Sequence, residues 1–461
     1  LFPRGDLRRS AERAPSRWLL DAVDVHDGVR PGAADLAETS GDWFREVPSF
    51  VAGLKRNPFP ATTQEYDVAA LLSHDEARGD VARHESAAHR PEVRRGIDLV
   101  RARRSSRFTR FDGNLATDGD LRGVRRPSPA EAGQLVSASR LEPWADCPHK
   151  YFVRDVLGVD AIEAPDEQYR ITALDRGSLV HEALDRWLTT MIDAGRVPEP
   201  GERWSADARA ELQAIAGAEC DRLEERGLVG RRLHWQRDRR AILRDLERFV
   251  EADEELRAEL GSTPIATELA FGMPQAEHGP LVLPLDDDRR LHVRGSIDRV
   301  DRRGDGHVVL DYKTGSARDY RGLSEDDPVP RGKLLQLPLY AAAVRQVLGT
   351  DGAVLGQFWF VSSKGGFVRH GYAVTEAVAD HSLGAIRTIV DGIEAGHFPL
   401  HPREPSWLPF NPCWFCDPDD LGTRHVHRSW ERKRFDPELR RYLGLVEPTL
   451  LTEIEAVEAE R

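Results

Sequence analysis

The sequence predicts an α/β fold: a central mixed sheet flanked by helices, a mostly helical segment ahead of it and a helical insertion inside it. Three observations carry that prediction. Short runs rich in β-branched and aromatic residues, near 265–271, 291–300, 308–313, 353–360 and 367–374, alternate with longer segments of helical periodicity. Their order is helices, a β-meander, a helix, strands and a helix, which sets helices against one mixed sheet. The composition, 40% hydrophobic and 31% charged over 461 residues, is that of a globular protein with room for two or three domains.

The elements follow in chain order. Residues 1–134 are rich in Ala, Arg and Asp, with helical periodicity around 66–72 and 92–103. The stretch 108–126 reads as a loop, because Asp112-Gly113-Asn114 and Asp118-Gly119-Asp120 are turn signals. Pro127-Ser128-Pro129 marks a boundary, and a second module, 135–430, begins near Leu135. There Ser137 can cap a first helix. A helix over 177–194 carries His181, and a helical insertion spans about 200–260. The strands follow, with helices over 334–348 and 375–395 and a helical tail over 431–461. No internal repeat and no Walker-type phosphate loop is found. Leu1 in place of Met reads as the start of a fragment or a processed piece.

A net charge of −13 argues against binding nucleic acid through bulk charge, though it leaves room for local basic tracts. Two tracts stand out: seven arginines over 94–110, and five arginines with Trp235 over 231–240. Either lies on phosphates or forms a solvated helix face. Lysine is scarce, with Lys55, Lys150, Lys313, Lys333, Lys364 and Lys433 the complete set, so a lysine at 313 is informative. No run approaches the ~20 apolar residues of a membrane span, and no signal peptide is read. The four cysteines make no disulfide framework, and a reducing, cytoplasmic setting is expected.

The chemistry concentrates in one hairpin. Gly295-Ser296-Ile297-Asp298-Arg299-Val300-Asp301 and Val309-Leu310-Asp311-Tyr312-Lys313-Thr314-Gly315 read as its two strands. A two-residue turn at Gly304-Asp305 sets Asp298 directly across from Asp311, with Cβ atoms ~5 Å apart. Lys313 follows Asp311 by two and shares its face. Val293, Ile297, Val308, Leu310 and Tyr312 form the opposite, apolar face. Two acids and an ammonium converging on one spot suit a divalent-metal site for phosphodiester cleavage. The alternative is a hairpin whose charged face is merely solvated.

Asp298 followed by Asp311-Tyr312-Lys313 resembles the PD-(D/E)XK nuclease signature. The surrounding segments, in the right order, resemble the RecB-like nuclease domains of bacterial helicase–nucleases, including the AddB and AdnB type. They are the opening helix Ser137-Ala138-Ser139-Arg140-Leu141-Glu142-Pro143-Trp144-Ala145-Asp146-Cys147-Pro148, the segment Arg176-Gly177-Ser178-Leu179-Val180-His181-Glu182, the hairpin itself, and Gln336-Leu337-Pro338-Leu339-Tyr340. Phe111-Asp112-Gly113-Asn114-Leu115 is similar to a Tyr-Asp-Gly element that precedes such domains.

The resemblance implies a restriction-endonuclease-like core and a Mg²⁺- or Mn²⁺-dependent deoxyribonuclease, an exonuclease acting in double-strand-break end processing and recombination. It implies DNA as substrate, and a helicase either as partner or upstream in the same polypeptide. His181, Asp298 and Asp311 would be metal ligands with the Tyr312 carbonyl, and Lys313 the catalytic lysine alongside Asp298 and Asp311. Glu268 would bind a second metal or support the ligands from behind. Gln336 and Tyr340, one helical turn apart, would border the site and contact substrate. The competing readings are a catalytically inactive DNA-binding scaffold and a stand-alone CRISPR-associated exonuclease of the same superfamily.

Many members hold a 4Fe–4S cluster on one cysteine before the core and three after it. Cys147, Cys413 and Cys416 match three of these positions, and Gly422 stands where the fourth is expected. Three outcomes stay open: a cluster, a zinc site completed by His425 or His427, or thiols without metal.

Overall fold

The structure is a computed structural model that describes residues 15–32, 35–38, 43, 50–78, 80–116, 128–159, 169–402 and 424–459. The chain divides into two compact units. One joins Leu1–Asp112 with Leu400–Asp436, and the other joins Gly113–Pro399 with Pro437–Arg461. The division therefore interleaves segments that the sequence presented as consecutive.

The first unit is helical where described. Both periodic segments form helices, Thr63–Arg78 and Pro91–Arg104, and the arginines of the second are exposed. Lys433, on the helix Arg424–Lys433, is buried: it donates to the carbonyls of Ala102 at 2.7 Å and Arg107 at 2.6 Å and pairs with Asp112 at 2.8 Å.

Among the described residues, the second unit is built on seven strands. They are β1 (Thr263–Phe271), β2 (Leu281–Pro284), β3 (Arg290–Val293), β4 (Gly295–Arg303), β5 (Gly306–Lys313), β6 (Val354–Phe360) and β7 (Arg369–Ala373). Five make a mixed sheet in the order β1-β4-β5-β6-β7, antiparallel except for the β5–β6 pair. A parallel pair needs a crossover, and the helix Gln336–Leu348 supplies it. β5 lies in the middle, buried from Val308 to Tyr312. Below it, Val308, Leu310, Tyr312, Trp359 and Val361 pack with Leu184, Trp187, Leu212 and Phe249. These last four come from the helices Ala173–Asp193, Ala206–Glu225 and Arg232–Leu260. The helix Gln336–Leu348 packs against β5 and β6. This is the α/β core expected from sequence, with the helical insertion forming one of its layers.

Two local expectations are corrected. The strand expected over 291–300 breaks at Arg294, whose N–H donates to Val136 O at 2.8 Å. The residues before the break form β3 and pair with β2 in a separate two-stranded ribbon, so Val293 does not share a face with Ile297. The second correction concerns the underside of the hairpin, which is buried but not purely apolar. Arg299 and Asp301 point there too, fully buried.

Those two charges are paired. Arg299 donates to Asp301 at 2.6 and 2.9 Å and to Asp253 at 2.5 Å. Asp253 also accepts from Arg257 at 2.8 Å and from the Trp204 indole at 2.6 Å, and Ser262 donates to Asp301 at 2.9 Å. Arg257 directs three of its remaining hydrogens to the carbonyls of Pro198, Glu199 and Glu202. Burial alone would raise the Asp253 pKa, but the two guanidiniums override it and hold the carboxyl below its ordinary value. Removing one partner from a buried network leaves an uncompensated charge, so Asp253→Ala should cost about 3–5 kcal/mol of stability. A drop in the denaturant midpoint checks this; an unchanged midpoint would mean the network contributes nothing net.

Candidate functional site

The hairpin has the expected register. Arg299 pairs with Leu310 and Arg303 with Gly306, so the turn is Gly304-Asp305 and the next residues outward are Asp298 and Asp311. There the ladder stops and a side chain takes over: Asp298 Oδ2 accepts the Tyr312 N–H at 2.6 Å. The acid is thereby fixed to the backbone of the strand it faces.

His181 reaches the same place from the helix Ala173–Asp193. That helix is capped by Thr172, which accepts the Asp175 N–H at 3.0 Å. Leu179, Val180, Leu184 and Trp187 of the helix are buried, and His181 lies half-buried at the end of β5. Its Nε2 lies 3.1 Å from Tyr312 O and its Nδ1 3.3 Å from Asp298 Oδ1. Burial favours the neutral ring, but Asp298, with Asp311 and Glu268 nearby, outweighs it and raises the His181 pKa.

Glu268 comes from β1. Thr267 pairs with Arg299 and Leu269 with Ile297, so Glu268 stands across from Asp298. Its φ of 43° is left-handed, a conformation uncommon for a residue with a side chain and one that costs on the order of 1–3 kcal/mol. Ser296 donates to its carboxylate at 2.6 Å. Burial raises the Glu268 pKa, opposed by Ser296 and reinforced by Asp298. Ser296 was missed from sequence, although its place two residues before Asp298 puts it on the same face.

The structure brings His181, Glu268 and Asp298 together, with one ligand atom of each within 4.8 Å of the others. An imidazole nitrogen, two carboxylates and a neighbouring peptide carbonyl fit a divalent cation. Asp311 is outside that group. It is buried and ion-paired with Lys313, two residues on along the same strand face. Burial, only partly offset by Lys313, pushes the Asp311 carboxyl up to about 6. Lys313 also donates to Gln336 Oε1 at 3.0 Å and lies 5.2 Å from the centre of the Phe358 ring. Burial disfavours its ammonium, but Asp311 prevails and the Lys313 pKa is raised.

Gln336 and Tyr340 share one helix face, linked at 3.4 Å. Tyr340 and Phe271 crowd Gly295, where a Cβ would come within 2.9 Å of Phe271 and 3.2 Å of Tyr340, so the start of β4 requires glycine. The arginines over 231–240 are partly committed internally: Arg239 binds Asp221 at 2.5 Å and Arg240 binds Gln236 O at 3.0 Å. Cys147 is buried after the helix Ala138–Asp146. Cys413 and Cys416 lie outside the described residues, and His425 and His427 fall in the helix Arg424–Lys433.

A family model described as the PD-(D/E)XK nuclease superfamily matches residues 135–420. This chain belongs to that superfamily. The matched span contains the mixed sheet and every side chain of the site just described. Curated relatives include an ATP-dependent helicase/deoxyribonuclease subunit of Lacticaseibacillus casei, 30% identical over 46% of this chain and 18% of that protein. The corresponding subunits from Desulforudis audaxviator and Moorella thermoacetica are 32% and 27% identical, each over 49% of this chain and 19% of theirs. The chain thus matches about a fifth of the length of these relatives. Among the described residues no helix is long and apolar enough to cross a membrane.

The donor set can be tested by titrating the protein with Mn²⁺. Asp298→Ala should weaken binding by at least about 10-fold, because this acid holds both His181 and the Tyr312 amide. Undiminished affinity would move the ion elsewhere.

Proposed function

We propose that this chain is a divalent-metal-dependent deoxyribonuclease. The observation that carries the reading is the buried Asp311–Lys313 pair set beside the convergent His181, Glu268 and Asp298. The last three side chains, with the Tyr312 carbonyl, would hold Mg²⁺ or Mn²⁺, and Asp311 is a further carboxylate close to His181. A divalent cation bound there offsets charge on a phosphate and lowers the pKa of water.

The chain's own residues divide the remaining work. Lys313 keeps its proton, so it acts as a donor and a positive charge directed at a phosphate oxygen or an attacking water, rather than as a resting base. Gln336 Oε1 and the Asp311 carboxylate each take one hydrogen of the Lys313 ammonium, which leaves it one to direct at substrate. Asp311 sustains that ammonium in a buried setting. The Asp298 carboxylate and the Tyr312 carbonyl lie against the two ring nitrogens of His181 and fix its ring plane; as a ligand the ring would offer one bare nitrogen and donate from the other.

The names of the relatives support DNA as substrate and a helicase as partner, either as a separate chain or as another part of one polypeptide. Exonuclease action in double-strand-break processing, in the cytoplasm, is the setting this implies. Purified protein should degrade linear DNA when Mg²⁺ or Mn²⁺ is supplied. Asp298→Ala and Lys313→Ala should each lower the rate by about 100-fold or more, with the circular dichroism spectrum unchanged. If both variants cut as fast as the parent, the mechanism fails. A parent that binds DNA but never cleaves it would point to the scaffold role instead.

A further inference from the structure

The helix Ala138–Asp146 carries two acids one turn apart, Glu142 and Asp146, on one face. Both reach the segment that leads into Gln336. Glu142 Oε1 accepts the Leu335 N–H at 2.9 Å, and Asp146 pairs with Lys333. Between these two anchors Leu334 is left-handed, with φ 60°. A leucine stays in that region only where its surroundings hold it there. The next residue after the Leu335 anchor is Gln336, whose Oε1 holds Lys313. Nothing in the chemistry assigned above uses Glu142, yet this half-buried carboxylate is two steps from the lysine. Burial pushes its carboxyl up to about 7, although Leu335 and Lys313 both work in the opposite direction.

We propose that Glu142 is a positioning residue: by gripping the Leu335 amide it sets where the helix Gln336–Leu348 begins, and so where Gln336 holds Lys313. This rests on the nuclease reading for its effect on turnover, but the positioning itself can be measured without DNA. The scarcity of lysines makes that practical, because acetic anhydride labelling followed by peptide mapping reports each of the six separately.

Three proteins are compared: the parent, Glu142→Ala and Glu142→Gln, the last keeping an oxygen that accepts the Leu335 N–H. Labelling of Lys313 is expressed relative to the exposed Lys364. Loss of one buried hydrogen bond should raise Lys313 labelling by about 5-fold in Glu142→Ala, and nuclease kcat should fall with KM little changed. Glu142→Gln should restore both towards the parent. Lys333, held separately by Asp146, should label at the parent rate in all three. The proposal is overturned if Glu142→Ala leaves Lys313 labelling unchanged, if Lys333 rises in step with Lys313, or if Glu142→Gln behaves like Glu142→Ala. A parent without DNA cleavage would sink the nuclease reading alone, since the labelling ratios need no substrate.

Discussion

Arg299 is the constraint on which the second unit depends. A guanidinium with no exposure to water persists only when its hydrogens are matched, and here Asp253 and Asp301 match them from two directions. Because neighbouring residues of a strand face opposite ways, fixing Arg299 downward fixes Asp298 upward. The helix Arg232–Leu260 that supplies Asp253 also supplies Phe249 to the core under Tyr312. The insertion thus anchors β4 and fills the space beneath β5, and the acid of the site inherits its position from a charge network on the far side of the sheet.

Above the sheet the charges are arranged differently. Below, each charge meets its opposite. Above, His181 and Lys313 face four carboxylates, Asp298, Glu268, Asp311 and Glu142, and burial raises the pKa of the last three. Such an excess of acid in a half-buried place is costly on its own terms, and it is where a multivalent cation would act. The contrast separates two uses of one chemistry: charges that specify the fold are saturated, and charges at the site are not.

Much of this was legible in the sequence because it is local. The hairpin register followed from turn residues and alternation, and Lys313 followed from spacing along one strand. What escaped depends on distant partners. Arg294 looks like the middle of a strand, yet its N–H goes to the distant backbone of Val136. The arginine and aspartate under the hairpin break the apolar pattern because their partner is on a helix far earlier in the chain. Glu268 could be named from its segment, but its left-handed backbone could not, since nothing in Thr267-Glu268-Leu269 requires it. Asp311 was expected with the ligands; in the structure it is paired with Lys313, a contact with one of two neighbours that spacing alone leaves undecided.

One residue of the hairpin serves the site chiefly through its backbone. Tyr312 offers its N–H to Asp298 and its carbonyl to His181, while its ring lies beneath the sheet against Phe249 and Trp359. The peptide group is common to all amino acids, so the middle letter of the acid–x–lysine signature is free of chemical duty. Here it answers to the volume below, to the buried Arg299 near its hydroxyl and to the His181 ring against its own. Variation there should register first as a change in how the interior fits together, and it should reach the site above through the ring of His181.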